Sequence, residues 1–268
     1  MAIGLIIIGD EILSGRRTDK HFPKVLELLS ARGLQLSWVE YIGDEPPRIT
    51  ATLRRTLQSD DIVFCTGGIG ATPDDHTRQC AAAALDVPLV LHPDAKIKIQ
   101  ERIFDMVGAG GSAPDLAAPD NLHRLKMGEF PEGASIIPNP YNKIPGFWIE
   151  NRSGHGAHYF VPGFPVMAWP MFEWVLDSRY SHLLHQNTFA EKSVLVFGMM
   201  ESTLTPLMEA LEANYPQIKV FSLPHVGDGA TRPHIDLGVK GEPGQVMVAY
   251  DAMLAGLQSL QAKYVPGD

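Results

Sequence analysis

The stretch DIVFCTGGIGATPDDHT, residues 61–77, decides the fold. Asp61 to Thr66 is a short apolar run that reads as a strand; Gly67, Gly68 and Gly70 break it, and Thr77 to Leu85 takes up helical spacing. The same alternation precedes it. Ile3, Leu5, Ile6, Ile7 and Ile8 form a continuous apolar run, the pattern of a strand buried on both faces. Phe22, Val25, Leu26, Leu28 and Leu29 follow helical spacing, and Arg32-Gly33 closes that helix. Leu34 to Ile42 reads as a second strand. Ile49, Leu53 and Leu57 lie four apart on one helical face behind Pro46 and Pro47. This β-α-β-α-β-α order predicts an α/β fold with a parallel sheet, mixed at its edge, and helices on both faces. Pro93 to Val107 supplies another helix, with Ile99, Ile103 and Val107 in register.

The middle of the chain differs. Six Pro and six Gly fall in the 38 residues from Gly128 to Pro165, which predicts turns and short strands. The strand candidates are Ala134–Ile137, Phe147–Glu150 and Ala157–Val161, followed by a helix from about Pro165 to His185. From Asn187 a second unit reads as strand Lys192–Phe197, helix Thr203–Tyr215, strands Ile218–Leu223 and His234–Val239, and helix Gln245–Gln261. The expected division is a domain over 1–185 and a small α+β domain over 186–268, with two helices on one face of its sheet.

Composition narrows the function. The 268 residues are 45% hydrophobic and 20% charged, enough for a core and too apolar for general disorder. Lys+Arg 22 against Asp+Glu 31 gives −9, so no bulk electrostatic grip on nucleic acid is expected. The apolar run at 3–8 is too short for a membrane helix and runs into Asp10-Glu11, so neither a membrane span nor a signal peptide is expected there. Cys65 and Cys80 read as reduced core thiols of a cytoplasmic protein.

Ligands of open parallel sheets bind beyond the carboxyl ends of the strands. Gly9-Asp10-Glu11 follows the first strand, Gly43-Asp44-Glu45 the second, and the glycine-rich loop with Asp74-Asp75 the third. Free N–H groups ahead of a helix favour an anion there. Asp44 also suits a cap for the helix behind Pro46, and Asp75 or Thr77 a cap for the third helix. The loop matches neither GxxxxGK[ST] nor GxGxxG. A phosphate loop beside several carboxylates calls for a divalent cation between them, which points to metal-assisted chemistry on a phosphorylated ligand. Glycine at 68 lets amides approach a phosphate, so Gly68→Ala is expected to weaken binding more than it weakens the fold.

GDEILSG at 9–15, Asp19, GDE at 43–45, TGGIGATPDDHT at 66–77 and VPGFP at 161–165 resemble the MoaB/Mog molybdopterin-binding domain. The resemblance is greatest to the form at the front of CinA-type competence/damage-inducible proteins. It covers residues 1–185, and 186–268 look like the small αβ domain that follows in such proteins. Relatives bind molybdopterin, adenylylate it with ATP, or hydrolyse ADP-ribose-like pyrophosphates with a divalent metal such as Mg, Co or Ni. The resemblance implies catalytic roles for Asp44 and Asp75. It implies phosphate and pterin contacts at Gly67, Gly68, Gly70, Thr72 and Thr77; Gly9, Asp10, Glu11, Gly15 and Asn139 are further candidate ligand contacts, and in a hydrolase reading Asp44 and Asp75, with Asp10 or Asp74, hold the cation.

It implies foremost a metal-dependent nucleotide pyrophosphatase. The alternatives are a molybdopterin adenylyltransferase or a non-enzymatic pterin- or nucleotide-binding module. The expected partners are a phosphorylated small molecule and further copies of the chain. Where the family has Asn-x-x-Gly-x-Ala-Pro-Gly, this chain has Asn139, Asn142, Ile144 and Gly146. Asn142 suits the left-handed conformation that Gly would supply, and Ile144 narrows the space beside it.

Three further features carry alternatives. His155 and His158 (HGAH) flank glycines and read as a solvated turn rather than a metal site. His182 and His185 (HLLH) read as helix-end or surface histidines. Arg16, Arg17 and Lys20 suit either a phosphate contact or a solvated helix start.

Overall fold

A computed structural model describes residues 2–107, 113–184, 190–227 and 231–267, and the chain divides into two compact units, Met1–Leu184 and His185–Asp268. Unit 1 runs β1 (Ile3–Ile8), α1 (Asp10–Leu13), α2 (His21–Ser30), β2 (Trp38–Ile42), α3 (Pro46–Thr56), β3 (Ile62–Thr66), α4 (Thr77–Leu85), β4 (Leu89–Leu91) and α5 (Pro93–Val107). It continues with α6 (Pro119–Leu125), β5 (Glu129–Pro131), β6 (Ser135–Ile137), β7 (Gly146–Glu150), β8 (Ala157–Val161) and α7 (Pro165–Arg179).

The main sheet has the order β2-β1-β3-β8-β7-β6. Strands β2, β1, β3 and β8 are parallel, and β7 and β6 are antiparallel at one edge. Alternation along β1 explains why its run is apolar throughout. Ile3, Leu5 and Ile7 pack with Phe64, Tyr159 and the inner faces of α2 and α7. Ile6 and Ile8 pack with Val63, Cys65 and the Ile49, Leu53, Cys80 and Ala81 side chains of α3 and α4 on the other face.

Several expectations need correction. The second strand begins at Trp38 rather than Leu34, because Gly33 turns the chain at φ +68 and Leu34 and Leu36 pack, half-buried, against the core instead of joining the ladder. The helix after VPGFP stops at Arg179. There Tyr180 leaves helical geometry and is buried, its hydroxyl 2.9 Å from that of Tyr159. His185 lies outside the described residues. His155 is in the exposed turn, but His158 is fully buried in β8, between the Asn151 side chain at 2.7 Å and the Thr56 hydroxyl at 2.8 Å. Burial pushes its pKa down to about 3.

Unit 2 comprises β9 (Ala190–Phe197), α8 (Glu201–Asn214), β10 (Ile218–His225), β11 (His234–Gly241), α9 (Pro243–Ser259) and β12 (Lys263–Pro266). Its antiparallel sheet has the order β10-β11-β9-β12. Val194, Val196, Leu237 and Val239 of the sheet pack with Leu204 and Leu211 of α8 and Val246, Met253 and Leu257 of α9. Among the described residues no helix is long and apolar enough to cross a membrane.

Candidate functional site

The loops that follow β1, β2, β3 and β8 wall a cavity of about 690 Å³. Gly9 and Glu11 come from the first, Asp44 from the second, Gly67 to Asp75 from the third, and Pro162-Gly163-Phe164 from the fourth. Arg16, Arg17 and Asn139 also line it, whereas Asp10, Gly15, Thr77 and Lys20 do not.

The glycine-rich loop has a definite polarity. The Thr77 hydroxyl donates to the Gly67 carbonyl at 2.9 Å, and the Thr77 amide donates to the Gly68 carbonyl at 2.9 Å. Arg78 Nη2 donates to the Gly70 carbonyl at 2.6 Å, and His123 Nε2 donates to the Ala71 carbonyl at 2.8 Å. In a trans peptide the C=O and the next N–H point in opposite directions. Holding the Gly67, Gly68 and Gly70 carbonyls therefore turns the Gly68, Ile69 and Ala71 N–H groups away from those partners, while the Thr72 amide, which follows the held Ala71 carbonyl, donates to Asp75. Among the described residues the amides of Gly68, Ile69, Gly70 and Ala71 donate to no protein acceptor. A run of free N–H groups of this kind is an anion-binding concavity.

The loop needs its glycines for conformation as well as access. Gly68 has φ +66, and a Cβ there would collide with the Thr77 hydroxyl. Gly68→Ala is thus expected to disturb the fold and the site together, which corrects the fold-sparing effect expected from sequence.

The acidic residues do not act as the expected caps. The α3 cap is Glu45, not Asp44, and the α4 cap is His76, without a side-chain acceptor. Asp44 Oδ2 accepts the Asp10 amide at 2.8 Å, and Asp10 Oδ1 accepts the Asp44 amide at 3.2 Å, so the ends of β1 and β2 are tied reciprocally. Burial holds the Asp44 pKa above the usual carboxylate range, and the charges of Asp10, Glu11 and Asp74 push the same way against the opposing pull of the Asp10 amide. Asp75 Oδ2 accepts from both the amide and the hydroxyl of Thr72, closing a turn inside the loop. Asp19 accepts the His21 and Phe22 amides at the start of α2, together with the Tyr41 hydroxyl.

Among the described residues no three His, Cys, Asp or Glu side chains gather where one ion could be held. Asp10, Asp44 and Asp75 each have one carboxylate oxygen committed, to the Asp44, Asp10 and Thr72 amides, and the carboxylates on the cavity wall are Glu11, Asp44, Asp74 and Asp75. A hard divalent cation needs only one or two protein carboxylates when waters and phosphate oxygens complete its shell. One or two of these carboxylates would suffice for an ion of that kind.

Asn139 is buried and engaged in folding its own turn. Its side chain donates to Asn142 Oδ1 and the Ile144 carbonyl and accepts the Tyr141 amide. The left-handed residue of that turn is Lys143, φ +66, rather than Asn142, whose side chain instead accepts the Ile144 amide. Ile144, Met127 and Met167 give the cavity an apolar wall. Arg78, His123, Met127 and Met167 lie outside every motif read from the sequence; their part in the site comes only from tertiary contact.

Residues 4–182 match a family described as a probable molybdopterin binding domain. A CinA-like protein from Anaeromyxobacter sp. strain K is 33% identical over 260 residues, covering 90% of this chain and 60% of that protein. The crystal structure of CinA from Thermoplasma acidophilum, a protein described as of unknown function, matches with a TM-score of 0.54 and 24% identity, over 66% of this chain and 98% of that one. MoaB from Thermus thermophilus, a molybdopterin biosynthesis enzyme, matches with a TM-score of 0.41 and 20% identity, over 68% of this chain and 93% of its own. The chain spans about half to three-fifths of the length of the curated relatives it matches.

Proposed function

The chain belongs to the molybdopterin-binding domain family, and from that premise we propose that its cavity binds a phosphorylated small molecule and hydrolyses a nucleotide pyrophosphate of the ADP-ribose class with the help of a divalent cation. The observation that carries this reading is the run of four amides without a protein acceptor, Gly68 to Ala71, on residues that line the same cavity as Asp44. Amides without a partner recognise phosphate oxygens through charge-assisted hydrogen bonds. Carboxylates beside an anion repel it unless a cation intervenes, so the pairing of the two features favours a cation–phosphate ligand.

In this reading Asp44 holds Mg, Co or Ni with Asp74 or Glu11, while Asp75 keeps the loop closed through Thr72. When bound, the ion supplies charge neutralisation at the phosphate and acidifies water. The water whose pKa it lowers attacks phosphorus and displaces AMP. Arg16 and Arg17 neutralise the second phosphate, and the apolar wall of Met127, Ile144 and Met167 packs on a ring.

That apolar wall and the family description favour a second reading, a pterin ligand adenylylated with ATP. Incubation with ADP-ribose and Mg²⁺, Co²⁺ or Ni²⁺, then with ATP and molybdopterin, separates the readings. AMP release in the first mixture supports the hydrolase. Adenylylated pterin in the second supports the transferase, and binding without turnover in both reduces the protein to a binding module. The protein acts in the cytoplasm as a homo-oligomer in this proposal, and light scattering tests the association.

A further inference from the structure

Arg78 is the most heavily buried cation of unit 1, only 3% exposed, and it sits in the first turn of α4. Its guanidinium donates to two backbone carbonyls, Gly70 through Nη2 and Lys126 through Nη1, while Nε has no partner. It makes no ion pair among the described residues; the carboxylates that face it, Asp75 and Glu129, act only at longer range. Removing a guanidinium from water without a counterion is costly, and Arg stays charged all the same. Such a placement does little for stability by itself.

What it does is local. The Gly70 carbonyl is turned toward Arg78, so the Ala71 amide of the same peptide is turned away from it, and Ala71 lines the cavity. A cationic donor on the carbonyl also polarises that peptide and strengthens its N–H as a donor. The second carbonyl, at Lys126, precedes Met127, another cavity residue. One side chain thus joins the glycine loop to the apolar wall.

Resting on the anion-site reading above, we infer that Arg78 is a positioning residue: it orients the 70–71 peptide toward a bound phosphate and places behind the loop a positive charge whose counterion is the ligand. His123 orients the next peptide through the Ala71 carbonyl without being buried.

The test is calorimetric titration of inorganic pyrophosphate and of ADP-ribose with Mg²⁺, at a temperature where circular dichroism shows each variant folded. Arg78→Met is expected to bind both at least ten-fold more weakly than wild type. Arg78→Lys keeps a charge that desolvation makes titratable. Its affinity is expected near wild type at pH 7 and to fall, relative to wild type, as pH rises to 9.5. A purely structural arginine predicts no such pH dependence in folded protein. Wild-type binding with Arg78→Met within two-fold of it overturns the Arg78 role and leaves the anion site standing. Should Arg78→Met fail to fold, a Lys variant whose affinity ratio stays flat with pH overturns it. No binding of either anion by wild type overturns the anion site and the Arg78 role together.

Discussion

Thr77→Val isolates the hydrogen bond on which the loop's polarity depends. Thr77 is completely buried, and its hydroxyl is the donor held 2.9 Å from the Gly67 carbonyl. Valine keeps the shape and the Thr77 amide, which continues to hold the Gly68 carbonyl. Only the Gly67 carbonyl loses its partner. An unsatisfied buried acceptor costs about 1–3 kcal/mol. At roughly 2–4 °C per kcal/mol for a unit of this size, Tm falls by about 2–12 °C.

The freed 67–68 peptide is also able to rotate, so the Gly68 amide is no longer held toward the cavity. A charge-assisted contact of about 1.5–3 kcal/mol is then at stake, roughly ten-fold or more in affinity. Thr77→Ser is the control. It retains the donor and loses one buried methyl, about 0.8 kcal/mol, so its affinity for pyrophosphate stays near wild type although its Tm drops slightly. Thermal melts and titrations of the three proteins decide the matter. A Val variant that melts and binds like wild type would mean that the hydroxyl does not orient the loop, and the polarity argument would fall with it.

Three other outcomes follow from the geometry. Asp44→Asn keeps an acceptor for the Asp10 amide and removes a charge that burial and its acidic neighbours disfavour, so Tm is expected to hold or rise while AMP release from ADP-ribose drops roughly 100-fold or more, as expected when the carboxylate that holds the cation is lost; retained turnover removes Asp44 from the chemistry. His158 titrates near 3 in the folded protein against 6.5 unfolded, so between those values the unfolded state binds a proton that the folded state does not. Stability therefore falls by about 1.4 kcal/mol per unit as pH drops from 6.5 toward 3. Urea melts at pH 7, 5.5 and 4.5 should show a steeper loss for wild type than for His158→Gln, and equal slopes contradict the assignment. Gly67 has φ +96, and a Cβ on it would strike the Ile8 backbone carbonyl, whereas Gly15, φ +71, faces open space. Gly67→Ala is expected to yield little folded protein and Gly15→Ala to lose only about 1 kcal/mol by thermal melting; the reverse order refutes the packing.

The parallel core is legible because burial on two faces leaves a mark in sequence. Ile3 to Ile8 has no polar position to alternate with, and α3 repeats Ile49 and Leu53 at helical spacing. Elements stabilised by a few backbone bonds leave no such mark. The ribbon of Leu89–Leu91 with Glu129–Pro131 pairs three residues across a long separation, and β12 is four residues ending in Pro266. Neither is long enough for a period to register. His158 misleads for a related reason: its glycine neighbours signal a turn, while its burial depends on Thr56, 102 positions away.

The candidate site divides along the same line. Strand ends on one edge follow from topology, so Asp44, Glu11 and Asp75 are legible as cavity residues once the sheet is parallel. Glycine at 67 and 68 is equally legible as a need for unusual backbone, and both have positive φ. Which way each peptide faces is not. A glycine permits many orientations, and the one adopted is set by whatever donor reaches the carbonyl. Of the three donor residues, Thr77 lies inside the motif, Arg78 one position beyond it and His123 about fifty residues away on α6. The anion site proposed for the loop therefore rests on those tertiary donors as much as on the glycines, and two chains with the same glycine motif but different residues at 78 and 123 are expected to differ in how well they hold a phosphate.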